Sequence, residues 1–508
     1  MTNGKLPPQV AYIIGNEACE RFSFYGMRNI LSTFLATSLL VALPEEARQG
    51  AAKEVFHTFV IGVYFFPLLG GWLSDRLLGR YDTILWLSVV YTAGHGLLAL
   101  SESWPPGFYA GLLLIALGSG GIKPCVSSFV GDQFDASNRS LAKLVFDAFY
   151  WIINFGSFFA TLFAPLLLRW YGASVAFGVP GVLMAVATVV FWLGRNKYVR
   201  VPPTGAAVDP DGPWRVAWTA ISRSPLSQGI AAAGVVPALG ALAVSPSIGF
   251  VATACLLLVL GLGFGGVAAA VGLPQARQRH SPAAVDGVAA VLRLLVVFAL
   301  VTPFWSLFDQ KASTWVFQAD AMTKPEWFQP AQMQALNPLL VMVLIPFTHL
   351  ALYPGLRALG VEPTPLRRMT AGIGFSAVSW VVVALIQARI DGGSAITISW
   401  QVLPYAILTL GEVLVSTTGL EFAYSQAPAQ MKSTLMSFWN LSVTVGNLWV
   451  LLVNAGMAAG GKGLAPLLGI GETTFLMGFF AGFAALATAA FGLYATTYRT
   501  VDHYRPAG

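Results

Sequence analysis

Four charged side chains within one apolar stretch are the first feature of this sequence able to do chemistry. Residues 16–28 read NEACERFSFYGMR. At 100° per residue, Glu17, Glu20, Arg21, Phe24 and Arg28 fall within about 100° of one another on a helix. An isolated charge at a bilayer centre costs roughly 2.5–3.5 kcal/mol, so four facing lipid would cost on the order of 10 kcal/mol. These side chains must face a polar space or pair with one another, and intramembrane charge is functional by default. Other apolar stretches add partners. Lys123 lies in GSGGIKPCVSSFVGDQF, and Glu412 and Glu421 lie in GEVLVSTTGLEFAYSQAP. Asp309 ends FWSLFD, with Arg293 earlier on the same helix. His57, in VFHTFVIGVYFFP near the outer end of the second helix, exchanges protons near neutrality in its ordinary range. His95 and His349 read as satisfied structural histidines. The chemistry these types support is ion pairing and proton exchange.

The elements that must position them are membrane helices. Apolar residues make up 56% of the 508 and charged residues 10%, with mean hydropathy +0.68. A soluble surface needs about 25% charged residues, so this one is solvated by lipid. Runs of roughly 20 apolar residues predict fourteen helices, at 11–41, 54–75, 82–101, 107–131, 144–168, 174–194, 225–245, 248–272, 286–309, 332–356, 369–388, 400–425, 433–458 and 473–498. The N-terminal MTNGKLPPQV has no signal-peptide pattern, so the first helix is expected to stay. With the N-terminus inside, about 18 Lys and Arg fall on the cytoplasmic side and about 7 outside, which obeys the positive-inside rule. Arg21, Arg28, Lys123 and Arg293 remain within helices.

Several function classes drop out. The net charge of +6 comes from basic residues that punctuate apolar runs, as membrane loops do, so nucleic-acid binding is not indicated. GSGGIK is no phosphate loop, because its spacing is wrong and Pro124 stands where Ser or Thr is required. Cys19, Cys125 and Cys255 lie in apolar segments without metal-ligand spacing and read as packing residues. The absence of a Ser/His/Asp set or an HExxH motif argues against an enzyme. The pair 225–245 and 248–272 is apolar and uncharged, so it reads as a lipid-facing insertion between two sets of six helices. Residues 1–200 form the first set, 201–285 the linker with the inserted pair, and 286–508 the second set. This all-α, polytopic 6+6 pattern suggests the major-facilitator fold, whose site lies at the midplane between halves. GGWLSDRLLGRYD at 70–82 resembles the loop between that fold's second and third helices, and LYPGLRALG at 352–360 is a fainter echo.

These residues also resemble one family within that superfamily, the proton-dependent oligopeptide transporters. The family's first-helix signature ExxERFxYY is matched by Glu17, Glu20, Arg21, Phe22 and Tyr25, with Phe24 in place of the penultimate Tyr. FYxxINxGS is met by FYWIINFGS at 149–157, and GGIKPCVS and GLEFAYSQAP are similar to segments of the fourth and tenth helices. The matches cover about 10–200 and 285–460. An inserted helix pair is usual in bacterial members.

The resemblance implies proton-coupled import of di- and tripeptides by alternating access. Arg21 and Lys123 would attract the peptide carboxylate, with Arg28 nearby. Glu421 would take the ammonium, helped by Asn154 and Asn337, and Tyr25, Tyr64, Trp305 and Trp439 would line side-chain pockets. Proton coupling would rest on Glu17, Glu20, His57 and Asp309. Candidate switches are Asp309 with Arg28, Lys123 with Glu421, or Glu17 and Glu20 competing for Arg21. No cofactor or metal is expected, and a monomer in a bacterial plasma membrane, both termini cytoplasmic, is. A carrier of nitrate or another small anion, or a drug exporter, is the alternative.

Overall fold

Proline and glycine punctuate the chain, and helices fill the apolar runs between them. The computed structural model describes residues 7–134, 139–203, 211–426, 432–459 and 465–498. The side chains of 139–150 and of Glu421 also lie outside that description. The chain begins with α1 (Val10–Phe34), α2 (Glu45–Phe65), its continuation α3 (Pro67–Leu73), α4 (Arg80–Leu100), α5 (Pro105–Asp132) and α6 (Arg139–Leu193). Gly172 turns α6 back on itself at φ +81°, a region open to glycine, so α6 is two passes. The middle holds α7 (Pro213–Ser222), α8 (Pro225–Ala233), α9 (Val235–Ala243) and α10 (Ser245–Ala276). Then come α11 (Pro282–Asp309), α12 (Thr314–Asp320), α13 (Leu336–Phe347), α14 (Tyr353–Ala358) and α15 (Pro365–Asp391). α16 (Val402–Glu412), α17 (Thr418–Gln426), α18 (Lys432–Ala459) and α19 (Glu472–Thr497) complete the set.

Among the described residues, twelve segments are long and apolar enough to cross a membrane. One of them, Trp151–Leu193, is the pair split at Gly172, and the more polar α1 is a further long pass. The fourteen passes expected from the sequence are therefore accounted for. The inserted pair faces outward as expected, with only 11% and 17% of its apolar windows buried. One edge of α10 does pack inward, where Ala252 and Cys255 join Ile61, Leu448 and Leu451. Two boundaries differ from the sequence reading. α2 starts at Glu45 instead of 54, because its outer turns carry charge that an apolar-run count passes over. The part of the linker before the inserted pair, 201–224, contains the helix α7.

Two large cores fill the molecule, one built from Val10 to Tyr198 with Ala312 and one from Val216 to Phe491. Within the first, GSGG in α5 has a structural use. A Cβ on Gly118 would come within 2.6 Å of Tyr91 Cβ, and one on Gly120 within 2.6 Å of the Val63 carbonyl. Gly121 meets Gly70 of α3 backbone to backbone. Small residues let membrane helices approach this closely, so α2, α3, α4 and α5 are joined along a glycine seam. Wider π-helical turns end or interrupt other passes at Leu35–Leu39, Ser74–Leu78, Thr348–Leu352 and Val413–Thr417.

Candidate functional site

Asp309 ends α11 deep in protein, and Arg28 of α1 reaches it at 2.5 Å. Both are buried, so this ion pair ties the first set of helices to the second. The other oxygen of Asp309 accepts from Asn447 Nδ2 of α18 at 2.7 Å. Asn447 Oδ1 lies 2.6 Å from His57 Nδ1 of α2, and His57 Nε2 lies 3.1 Å from Ser313 Oγ. Gly446 sets this register, since a Cβ there would meet Trp305 Cβ at 2.6 Å, and only glycine lets α18 come so close to α11. Ser32, one turn beyond Arg28, donates to the Ala312 carbonyl at 2.7 Å. The Arg28 guanidinium also lies over the Phe56 ring at 5.4 Å.

The polarity of this chain is readable. Asn447 donates to Asp309, so its oxygen must accept from His57 Nδ1–H. Neutral His57 then accepts at Nε2 from the Ser313 hydroxyl. A second proton on His57 turns Nε2 into a donor. Ser313 can accommodate that by rotating its hydroxyl toward the Gln310 carbonyl, 3.4 Å away. The four groups form one buried chain whose hydrogen-bond direction reports where a proton sits. Beyond it, toward the ends of α1 and α12, lies a vestibule of about 710 Å³ bordered by Thr33, Glu45, Arg48, Arg169 and Asp320.

A second cluster lies on α1 and α5. Arg21 Nε is 3.0 Å from Glu17 and also pairs with Glu20, which accepts a long bond from Ser119 at 3.5 Å. Lys123 projects its ammonium over the rings of Tyr64, at 4.2 Å, and Phe24, at 4.6 Å. Cation–π contact of this kind favours a positive charge. Phe24, where the sequence departs from its expected pattern, thus serves through its ring face. Gly156, from INFGS, lets α6 approach the α1 backbone, with its Cβ position 3.3 Å from the Ala18 carbonyl.

A third cluster contains a residue that the sequence reading assigned to the outside. Lys311, two residues past Asp309, is buried, and its ammonium donates to Asn337 Oδ1 at 2.8 Å. Asn337 Nδ2 donates to Glu412 at 2.5 Å and to Thr409 Oγ1 at 3.1 Å. Asn337, expected to help Glu421 with the peptide ammonium, bridges Lys311 to Glu412. Lys53, also assigned outside, is buried on α2, over the Phe317 ring at 5.8 Å. Trp305 and Trp439 meet edge to face at 6.1 Å, and Tyr25 packs edge to face on Phe24 at 5.4 Å. Asn154 is buried on α6. Glu421 sits on α17, but its side chain lies outside the described residues.

The remaining candidates fall apart from these clusters. Arg293 is exposed on α11, and His349 is exposed beside Tyr353. His95 is buried against Ser23 at 3.1 Å and stacked on Tyr91, as a structural histidine is. Asn447 and Ser313 went unnoticed in the sequence because nothing distinguishes a membrane Asn or Ser until its partner is known. Lys311 carried a usable signal, a cation within one turn of an intramembrane Asp. Among the described residues, no group of three or more His, Cys, Asp or Glu side chains could hold a metal ion.

Comparison with known proteins places this arrangement. The model of the POT family matches residues 81–459, most of the chain. Peptide transporter 3 of Caenorhabditis elegans is 32% identical over 406 residues, covering 76% of this chain and 51% of that protein. Solute carrier family 15 member 2 of Homo sapiens is 32% identical over 402 residues, covering 76% of this chain and 49% of that protein. The chain thus spans about half the length of these animal relatives. Among solved structures, the POT family transporter PepTSo is 59% identical, with a TM-score of 0.95 over 99% of this chain and 100% of that one. An auto-inhibited POT family peptide transporter is 58% identical, with a TM-score of 0.94 over 99% of both chains. The family model covers most of the chain and these solved structures match nearly all of it, so the chain belongs to the POT family.

Proposed function

We propose that this protein is a secondary transporter that carries di- and tripeptides into the cell together with protons. The observation that carries the reading is the buried Arg28–Asp309 pair, which joins the two sets of helices and connects through Asn447 to His57. A proton that weakens this pair releases the gate, so charge state and access are one equilibrium. Likeness to relatives named as peptide transporters supports the substrate class. So does the presence of both signs of charge in each set of helices, Arg21 and Lys123 with Glu17 and Glu20 in the first and Glu412 with Lys311 in the second, which offers partners to both ends of a zwitterion.

A short peptide is a zwitterion. Arg21 and Lys123, with Arg28 nearby, attract its carboxylate, and Glu421 with Asn154 takes its ammonium. Each charge-assisted hydrogen bond contributes roughly 1.5–3 kcal/mol, so both termini matter to affinity. Tyr25, Tyr64, Trp305 and Trp439 accept varied side chains. One more residue lengthens an extended peptide by about 3.5 Å, so length is limited by the distance between the charged ends. Residues 1–200 and 286–508 rock against each other, with 201–285 spanning them. Glu17 and Glu20 compete with the carboxylate for Arg21 when ionised. No cofactor takes part, and a monomer suffices.

The test is uptake into proteoliposomes of labelled di-alanine against free alanine, nitrate and a cationic dye, with and without an inward pH gradient. Di-alanine alone is expected to accumulate, at least about tenfold more with the gradient than without. Accumulation of nitrate or dye in its place would reassign the substrate.

The proposed orientation puts both termini inside a microbial plasma membrane. In a background lacking the three native cysteines, Ser103→Cys, between α4 and α5, is expected to react with a membrane-impermeant thiol reagent in intact cells. Gln278→Cys, between α10 and α11, is expected to react only after permeabilisation. The opposite pattern would invert the topology.

A further inference from the structure

The linker helix α7 presents three distinct faces. Val216 and Ala220 are fully buried, with Gly272 of α10 against the Ala220 carbonyl. Trp214 and Trp218, one turn apart on the second face, are 68% and 70% exposed. Arg215, Thr219 and Ser222 share the third, polar face. Exposed tryptophans on one arc and polar groups on the other are the pattern of a helix lying in the membrane–water interface.

Beside the tryptophans runs an apolar slot of about 210 Å³, walled by Gly261 and Gly265 of α10, Leu292 of α11 and Phe438 of α18. No atom lies within 4 Å of a Cβ placed on Gly261 or Gly265, so the slot is open along its glycine wall. The charges of α7 and of the α10–α11 connection, whose helices wall the slot, are unbalanced among the described residues. Arg277 is paired with Asp286, and His280 bridges Asp211 at 2.9 Å and Thr219 at 3.0 Å. Hydrogen bonds from Ser281 and His280 hold the Asp211 carboxyl below its usual range, so that acid is committed to them. Arg215, Arg223 and Arg279 are exposed and have no carboxylate partner among the described residues.

We propose that this slot binds one anionic membrane phospholipid, its acyl chain lying along Gly261 and Gly265 beside Trp218 and its phosphate held by Arg215, Arg223 and Arg279. Charge complementarity selects this occupant, because the guanidinium fork suits phosphate and the apolar slot lies where a bilayer supplies chains. The lipid would touch α11 and α18, which carry Asp309 at the far end of α11 and Asn447 midway along α18.

Native mass spectrometry of the purified, delipidated full chain tests this, after adding back phosphatidylglycerol or phosphatidylcholine with the same acyl chains. The wild type is expected to retain one phosphatidylglycerol at least about fivefold over phosphatidylcholine. Gly265→Leu, whose side chain enters open space, is expected to cut retention of both lipids by a similar factor. Gly261→Leu serves as a second filling variant should the first misfold. The triple variant R215Q/R223Q/R279Q is expected to lose the headgroup preference while still retaining lipid. Equal retention of both headgroups by the wild type, or undiminished retention by the filled variants, would overturn the proposal. A dimer that disappears in Gly265→Leu would assign the slot to a second copy of the chain and overturn it equally.

Discussion

Asp309→Asn protein is expected to exchange peptide across a liposome membrane and to fail to concentrate it. A potential of 100 mV is worth about 2.3 kcal/mol per charge, enough for roughly 50-fold accumulation of a neutral zwitterion carried with one proton. The variant should fall to a ratio of about one while counterflow continues, because exchange needs no net proton movement. The geometry explains why shape survives when charge does not. An amide at 309 can still accept from Arg28, and its NH2 then faces Asn447. Asn447 satisfies it by turning its own amide over, and His57 answers by accepting at Nδ1 and donating from Nε2 to Ser313. Arg28 is left without a counter-charge. Removing one partner of a buried pair costs about 3–5 kcal/mol, so the gate spends more time open. Full gradient-driven accumulation by the Asn variant would exclude Asp309 as the essential proton carrier and pass the role to Glu17, Glu20 or His57. Loss of both counterflow and binding would give Asp309 a structural or substrate-binding role.

Lys311→Gln is expected to lose uptake and also stability, by about 3 kcal/mol. Lys311 reaches Glu412 through a single Asn337 side chain, so deleting the cation leaves an acid in the site with an amide partner only. Glu412 is half-buried, which keeps the expected loss at the lower end of the buried-pair range. Adding Glu412→Gln removes the stranded charge. The double variant should recover its thermal unfolding midpoint, lowered by about 3 °C in the single variant, without recovering transport. That split separates a charge needed for folding from charges needed for function. A Lys311→Gln protein as stable as the wild type, or a double variant no more stable than the single one, would mean that the three groups are not energetically linked.

What could be read from the sequence and what could not divide along physical lines. The passes were legible because a bilayer demands long apolar runs, and that demand does not depend on neighbours. The charged face of α1 was legible because charges on one helix have fixed relative angles. Pairing of Arg28 with Asp309, one of the switches considered, rests on contact between remote segments, which the structure supplies. Asn447 and Ser313 were illegible, since their polarity is modest and their use comes only from His57 and Asp309 lying beside them. Lys311 was hidden by an end effect. The ninth pass was taken to stop at Asp309, whereas the chain continues helically through Gln310–Ala312 and keeps Lys311 inside. α7 escaped because a ten-residue amphipathic helix has neither the length nor the hydropathy of a span.

The glycine seam between α3 and α5 has a mechanical consequence. His57 stands midway along α2, and Gly70 meets Gly121 thirteen residues further along, roughly 20 Å away at 1.5 Å per residue. Helices in backbone contact have no slack side chains between them to absorb a displacement. On the proposed function, a shift of His57 on protonation would be passed on by the seam as a tilt of the whole group, in the manner of a stiff lever about a fixed fulcrum. Stiffness of this kind would let a single proton set the width of an opening at the opposite end without a relay of moving side chains between them.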